Sequence, residues 1–265
     1  MPALCGVLGH PVGHSRSPAI HNAAYAELGL DWHYVKLPVP PELFEETVRG
    51  LPASGYRGAN VTIPHKLAAL ELADAASPAA RSVGAANTLT FAGGRIEAEN
   101  TDAGGLLDAI DRSVDSLRAL VLGAGGAGRA AAWALREAGA AEVAVWNRTP
   151  ERAAALARDL GVAHAERPRA TDVIVNATSV GLDPATPDEE ALGQLGLAGA
   201  DPPSLVVDLV YSAGGITPLQ AWAERAGASF VGGLEVLVRQ GARSFELWTG
   251  RPAPLAAMRA AAAAG

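Results

Sequence analysis

Apolar residues in the first hundred positions come in short runs, separated by segments with helical character. Residues 3–9 (ALCGVLG) are nearly all apolar and stop at Gly9-His10-Pro11, the pattern of a buried strand. Residues 17–28 carry a helical pattern, with Ser17 read as the N-cap, Pro18 at the first helical position and Gly29 as the stop. A β-like run at 32–37, a short helix at 41–49 and a third strand at 56–63 follow, and a further helix is expected from Pro64, because proline suits a first turn. Residues 77–83 read as helix, and 87–91 with 95–99 as a hairpin around Gly93-Gly94. Strands alternating with helices predict a mostly parallel sheet.

A second pattern starts at Leu117. Apolar residues 117–122 run into GAGGAGR (123–129) and an alanine-rich helix at 126–138. Strands are expected at 142–146, 172–176 and 204–209, with helices at 150–160, capped by Thr149, and at 217–226. The Gly/Pro-rich stretch 181–203 reads as a loop, and helices near 233–248 and 253–263 finish the chain.

Composition narrows the function. The chain has 265 residues, long enough for two domains, and 49% hydrophobic residues exclude global disorder. A net charge of −7 argues against a general nucleic-acid or anionic-membrane surface, so an anionic ligand must be held by local groups. The single cysteine, Cys5, supports neither a disulfide framework nor a cysteine zinc site. No basic segment precedes an apolar run at the start and no apolar stretch reaches the ~20 residues of a membrane span, so a cytoplasmic protein is expected. Of 21 basic residues only Lys36 and Lys66 are lysines. Lysine, unlike arginine, can give up a proton in a protein, which marks both as candidates for chemistry.

Gly123-Ala124-Gly125-Gly126-Ala127-Gly128 fits G-x-G-x-x-G between a strand and a helix, the setting in which backbone N–H groups meet a pyrophosphate. Gly123 permits the tight turn, Gly125 the approach of the phosphates and Gly128 close helix–strand packing. An NAD site would place a carboxylate ~20 residues on. Here the second strand ends in Asn147-Arg148-Thr149, and an arginine suits a 2′-phosphate, so NADP is favoured over NAD. In the first half, Ser15 and Ser17 stand at a helix N-terminus suited to a carboxylate. Asn60 and Thr62 share a strand face ahead of Lys66, and Asn87-Thr88 and Asn100-Thr101-Asp102 sit at strand edges. Together they offer neutral polar groups, one cation and one carboxylate, a set that suits a small hydroxylated molecule with one charge. His10, His14 and His21 match no standard zinc spacing, so no metal is expected.

The series GHPVGHSRSPAIHN (9–22), GANVTIPHK (58–66), GAANTL (84–89), NTDAGG (100–105), GAGGAGR (123–129), WNRT (146–149), NATSVG (176–181), DLVY (208–211), TPL (217–219) and GGLEVLVRQGARSFELWTG (232–250) resembles the shikimate dehydrogenase family from end to end. The resemblance implies two α/β domains: a substrate domain of residues 1–104 and 236–265, with a mostly parallel sheet and the C-terminal helices, and a Rossmann-like NADP domain of residues 105–235, with the active site in the cleft between them. It implies NADPH-dependent reduction of 3-dehydroshikimate to shikimate, with Lys66 and Asp102 as the catalytic pair. Ser15, Ser17 and Tyr211 would hold the substrate carboxylate. Thr62, Asn87 and Gln240 would bind around the ring, with Asn60 and Asn100 as supports. Gly123, Ala124, Gly125, Gly126, Ala127, Gly128, Asn147, Arg148, Thr149, Thr178 and Gly233 would face NADP. A small-molecule substrate, no nucleic acid, no membrane and a monomer or homodimer are the implied associations.

Departures from the family pattern are few. His65 stands where many relatives have Phe, Glu235 where many have Gly, and Gly214-Gly215-Ile216 is an unusual lead into TPL. Rival readings are a quinate/shikimate dehydrogenase using NAD, an aminoshikimate dehydrogenase, and a catalytically silent NADP sensor. Arg148 opposes the first, and retention of both Lys66 and Asp102 opposes the last.

Overall fold

A computed structural model describes residues 2–211 and 215–264; Gly214 of the unusual lead lies outside the described residues. The chain divides into two compact units, residues 1–105 with 237–265, and residues 106–236.

In the first unit, β1 (Ala3–Gly9), α1 (Ser17–Glu27), β2 (Trp32–Pro38), α2 (Phe44–Gly50), β3 (Tyr56–Val61), α3 (Lys66–Glu71), β4 (Ala75–Ala76), α4 (Pro78–Val83), β5 (Thr88–Ala92) and β6 (Arg95–Glu99) precede α5 (Thr101–Ile110). The sheet order is β2-β1-β3-β5-β6-β4. The β2-β1-β3 and β4-β6 pairings are parallel, while the hairpin makes β3-β5 and β5-β6 antiparallel. Both faces are covered, because alternate side chains of β1 enter different cores. Cys5 and Val7 pack with Ile20, Tyr25, Phe245 and Met258, whereas Leu8 packs with Phe44, Val61 and Leu89.

The second unit holds β7 (Arg118–Leu122), α6 (Gly126–Glu137), β8 (Glu142–Trp146), α7 (Pro150–Leu160), β9 (Ala163–His164), β10 (Val173–Asn176), α8 (Asp188–Gln194), β11 (Leu205–Asp208), α9 (Pro218–Arg225) and β12 (Ser229–Val231). Its sheet, β12-β11-β10-β7-β8-β9, is parallel throughout. β10 and β11 are buried along their whole length, as parallel strands with helices on both faces must be. α10 (Gly233–Thr249) and α11 (Leu255–Ala264) complete the chain, and α11 packs on α1.

Several expectations need correction. Ser17 is the first residue of α1 rather than its cap; Arg16 takes the cap position and no side chain caps the helix. The helix after β3 begins at Lys66, two residues beyond Pro64, with His65 at its cap. Stretch 181–203 contains α8. Thr149 stands at the cap position of α7, but its hydroxyl does not cap it. The largest difference is α5. Thr101, Asp102 and the glycines after them form a helix, with Asn100 just before it, rather than the end of a hairpin.

Candidate active site

The geometry of the first unit begins with the strand ends. β3 carries Asn60, and past its end lie Thr62 and then Lys66 at the start of α3. The Lys66 carbonyl accepts from the Ala86 N–H at 2.8 Å, which ties this turn to the residue before Asn87. Asp102 sits in the first turn of α5, where the helix dipole favours a negative charge. Asn100 caps that helix: its Oδ1 accepts from the Ala103 N–H at 3.1 Å, and its Nδ2 donates to the Ala85 carbonyl at 2.9 Å.

Glycines within α5 have a packing reason. A Cβ on Gly105 would lie 2.6 Å from the Gln240 nitrogen and 2.7 Å from its Cα. Only glycine lets α10 come this close, and the close approach is what brings Gln240 to the strand edge.

The result is a connected constellation. Lys66 Nζ donates to Asp102 Oδ2 at 2.6 Å, with the side chains 12% and 19% exposed. The other Asp102 oxygen accepts from Asn87 Nδ2 at 2.8 Å. That amide nitrogen also approaches Thr101 Oγ1 at 3.0 Å and Gln240 Oε1 at 3.2 Å, so its two hydrogens are shared among these acceptors. Asn87 Oδ1 accepts from the Thr101 N–H at 2.7 Å, and Gln240 Nε2 donates to the Leu237 carbonyl at 2.8 Å. Both carboxylate oxygens of Asp102 are therefore committed, one to the lysine and one to an amide that is itself held.

Beneath this lies a network that sequence reasoning did not assemble. Asn60 Nδ2 donates to Ser244 Oγ at 2.8 Å and Thr88 Oγ1 at 3.0 Å, and the Tyr34 hydroxyl donates to Asn60 Oδ1 at 2.8 Å. The Thr88, Thr101 and Ser244 hydroxyls lie 3.0–3.2 Å from one another. Asn60, Thr88, Thr101, Ser244 and Tyr34 are all buried, so these bonds spare them the cost of an unpaired polar group. Ser244 was findable: it lies four residues after Gln240, on the same helix face. Tyr34 carried no such signal.

Ser15 and Ser17 are brought together by the loop after β1, where Ser15 Oγ accepts from the Ser17 N–H at 3.3 Å. Lys36 Nζ donates to the Gly13 carbonyl of that loop. Thr62 lies beside it, for the loops after β1 and β3 are joined by the His10 N–H donating to the Ile63 carbonyl at 3.0 Å. His65 is packed away: its ring stacks on Phe44 at 4.3 Å and its Nε2 lies 2.7 Å from the Val39 carbonyl. His21 is fully buried, stacks on Tyr34 at 4.3 Å and leaves both ring nitrogens without a partner. Burial holds its imidazole down at about 3. Among the described residues no group of three or more His, Cys, Asp or Glu is placed to hold a metal ion. No described helix is long and apolar enough to cross a membrane.

In the second unit the glycine loop follows β7. Gly123 has φ +109°, a conformation that side chains rarely adopt, and a Cβ there would meet the Ala177 carbonyl oxygen at 2.8 Å. A Cβ on Gly128 would lie 2.1 Å from the Gly123 oxygen, while one on Gly125, the cap of α6, would meet nothing within 4 Å. The turn is thus packed hard on its inner side and open at the helix N-terminus, the shape of a phosphate cradle. Asn147 Oδ1 accepts from the Ala124 N–H at 3.3 Å, joining the end of β8 to the loop. Arg148 and Thr149 are exposed, and Arg148 forms no ion pair with any described residue. Thr178 touches the loop through the space a Gly123 side chain would need, with its Cγ2 at 3.2 Å from that point. Gly233 opens α10 against the Leu209 and Val210 carbonyls, and Tyr211 stands three residues past the end of β11.

Comparison with known proteins gives one answer. The family described as shikimate dehydrogenase substrate binding domain matches residues 7–89, shikimate / quinate 5-dehydrogenase matches 106–181, and shikimate 5′-dehydrogenase C-terminal domain matches 233–263. The chain belongs to the shikimate dehydrogenase family. A shikimate dehydrogenase (NADP(+)) of Anaeromyxobacter sp. strain K is 48% identical, over 97% of this chain and 94% of that protein. A shikimate 5-dehydrogenase of Thermus thermophilus, solved in complex with NADP(H) and shikimate, is 42% identical with a TM-score of 0.85 over 99% of this chain and 98% of that one. A 5-ketofructose reductase of Gluconobacter sp. strain CHM43, solved free of ligand, has a TM-score of 0.84 at 30% identity, over 99% of this chain and 98% of that one. Within the shikimate dehydrogenase likeness, the two-domain Rossmann-like α/β fold is shared.

Proposed function

We propose that this chain catalyses reversible reduction of the C3 ketone of 3-dehydroshikimate to shikimate with NADPH, and that the Lys66–Asp102 contact at 2.6 Å is the observation that carries the chemistry. When bound, the nicotinamide supplies the hydride, or accepts it in the reverse direction. The oxygen of a ketone receiving a hydride becomes an alkoxide that needs one proton. The Lys66 ammonium, at the start of α3, stabilises that charge and gives up the proton; in the direction of oxidation the neutral amine takes it from the hydroxyl. Asp102 fixes the direction of Nζ, and Asn87 fixes Asp102, so the lysine is poised without moving.

The remaining assignments rest on the same reading. Ser15 and Ser17, with Tyr211, hold the substrate carboxylate, and Thr62, Asn87 and Gln240 bind around the ring. The NADP group fits the second unit on its own terms: the loop Gly123, Ala124, Gly125, Gly126, Ala127, Gly128 is open at Gly125. Asn147, Arg148 and Thr149 lie at the tip of β8, where the adenosine ribose is expected in this fold, and Arg148 supplies the charge for a 2′-phosphate. Thr178 and Gly233 are placed on the cofactor side. A cytoplasmic monomer or homodimer completes the reading.

The test is absorbance of the reduced nicotinamide on mixing the protein with shikimate or quinate and with NADP or NAD. Fast reduction with shikimate and NADP alone is expected. Equal rates with quinate or NAD would move the chain to a broad-specificity dehydrogenase, and no reduction in any mixture would remove the assignment.

A further inference from the structure

The proposed reaction leaves one buried carboxylate unused. β10 and β11 run parallel with Asn176 in register with Asp208, so two strands of apolar residues end side by side in an amide and an acid. Both are fully buried. Asp208 accepts from Thr217 Oγ1 at 2.7 Å, Asn176 Nδ2 at 2.9 Å and the Val210 N–H at 3.1 Å. None of these donors is a cation. A carboxylate buried this way is expensive, and burial accordingly pushes the Asp208 carboxyl up to about 6 against the pull of its three donors.

What the acid does there follows from its hydrogen-bonding capacity. An ionised carboxylate only accepts, so Asn176 must present its NH2 to it. The amide oxygen faces the other way, and it accepts from the Thr178 N–H at 3.1 Å and from Thr178 Oγ1 at 2.7 Å. Asn176 Nδ2 also reaches the Val180 carbonyl at 3.2 Å, and Thr178 Oγ1 accepts from the Val180 N–H at 3.0 Å. Residues 177–180 are shaped by these bonds, and two of them, Ala177 and Thr178, line the Gly123 turn, with the Ala177 carbonyl 2.8 Å from where a Gly123 Cβ would stand.

We propose that Asp208 is a positioning residue for the dinucleotide site: as the buried acceptor of the Asn176 NH2, it anchors the amide that holds Thr178 beside the glycine loop. An asparagine at 208 has the same shape but is a neutral and weaker acceptor, so it fills the space while loosening the hold on the amide. This assignment rests on the reading of the loop as an NADP site. It extends that reading to a residue with no seat at the loop itself.

The experiment uses the full chain, with NADP and shikimate titrated separately by calorimetry and with thermal unfolding followed alongside. Asp208→Asn is expected to weaken NADP binding about fivefold to tenfold while shikimate binding stays within twofold. Thr217→Val removes a donor on the side of Asp208 away from Asn176; it is expected to lower the Tm yet leave the NADP Kd within twofold. Unchanged NADP binding in Asp208→Asn would overturn the proposal. So would a loss in Thr217→Val as large as that in Asp208→Asn, because the effect would then follow general loosening. Wild-type protein that binds no NADP would instead remove the dinucleotide reading itself, so the two failures are distinct.

Discussion

The two units build their sites from different materials. In the first, the site is a web of side chains: Lys66, Asp102, Asn87 and Gln240 touch one another, and Asn60, Thr88, Thr101 and Ser244 support them from below. In the second, the loop after β7 is built by backbone and by the absence of side chains, with glycines where a Cβ would strike the chain. The contrast follows from the tasks. Proton transfer to a substrate oxygen needs a titratable group aimed at one point, whereas a pyrophosphate is met by a row of N–H groups that every residue carries. The first site should therefore fail when a side chain is removed, and the second when one is added.

The largest expected effect tests the first half of that statement. Lys66→Ala lowers kcat by about 10³-fold, within the range of positioned general acids, while NADP binding by calorimetry stays unchanged. Turnover within tenfold of wild type would remove Lys66 from the mechanism. Addition tests the second half. Gly128→Ala places a methyl 2.1 Å from the Gly123 carbonyl oxygen, so the loop or helix must shift. At ~1–3 kcal/mol for such overpacking, NADP binding weakens roughly tenfold to a hundredfold, with shikimate binding retained. An alanine that binds NADP normally would show that the cradle is more pliable than its contacts imply.

The same contrast explains what the sequence could tell. The glycine loop was legible residue by residue, because backbone conformation and close approach leave a spacing in one continuous segment. The elements beside it, β7, α6, β8 and α7, were legible too, since hydrophobic runs are local, although the Thr149 hydroxyl, expected to cap α7, does not do so. The α5 helix was not. Thr101 and Asp102 have turn chemistry and Gly104 and Gly105 weaken a helix, and the reason for Gly105 lies more than a hundred residues away in the chain, where α10 passes so close that a Cβ on Gly105 would lie 2.6 Å from the Gln240 nitrogen. The same distance hid the contact of Asn87 with Gln240. Lys66 and Asp102 were found by their resemblance and by the scarcity of lysine, not by any local rule. Asp208 was visible as an acid ending an apolar strand, but its meaning needed the neighbouring strand, Val173–Asn176, to end in register beside it.

Arg148 sharpens the comparison, because in the proposed reading it is the side chain that sets the choice of cofactor in the backbone-built site. Backbone amides would meet the pyrophosphate of NADP and NAD alike, so on that reading discrimination falls to the tip of β8. Arg148→Ala is expected to weaken NADP by roughly tenfold to a hundredfold, the worth of a charge-assisted contact of ~1.5–3 kcal/mol, and to leave NAD within twofold. The ratio of the two dissociation constants is the measurement. An equal loss for both would place the 2′-phosphate elsewhere.

The smallest effect concerns the two buried titratable groups, and they pull in opposite directions. His21, in the first unit, has its pKa held down to about 3 by burial, below the 6.5 of the unfolded chain. Its contribution to stability is complete above pH 6.5 and is lost as the pH falls towards 3, because the unfolded state takes up the proton first. Asp208, in the second unit, is raised by burial from 3.8 to about 6. Its folded form keeps a proton that the unfolded chain has released, so its contribution is complete below pH 3.8 and is lost as the pH rises through 6. Between pH 4.5 and 6 the two slopes oppose and the wild-type protein shows a shallow pH dependence. Separate variants expose each slope. His21→Phe keeps the stack on Tyr34 and removes the titration, so relative to wild type it gains about 2 kcal/mol on going from pH 7 to pH 4.5. Asp208→Asn changes by about 1–2 kcal/mol in the opposite sense over the same range. Urea unfolding at the two pH values measures both. Two variants that shift in the same direction would mean that at least one of these groups is not held by burial as described, and the side-chain-built unit and the backbone-built unit would then share one acid response instead of two.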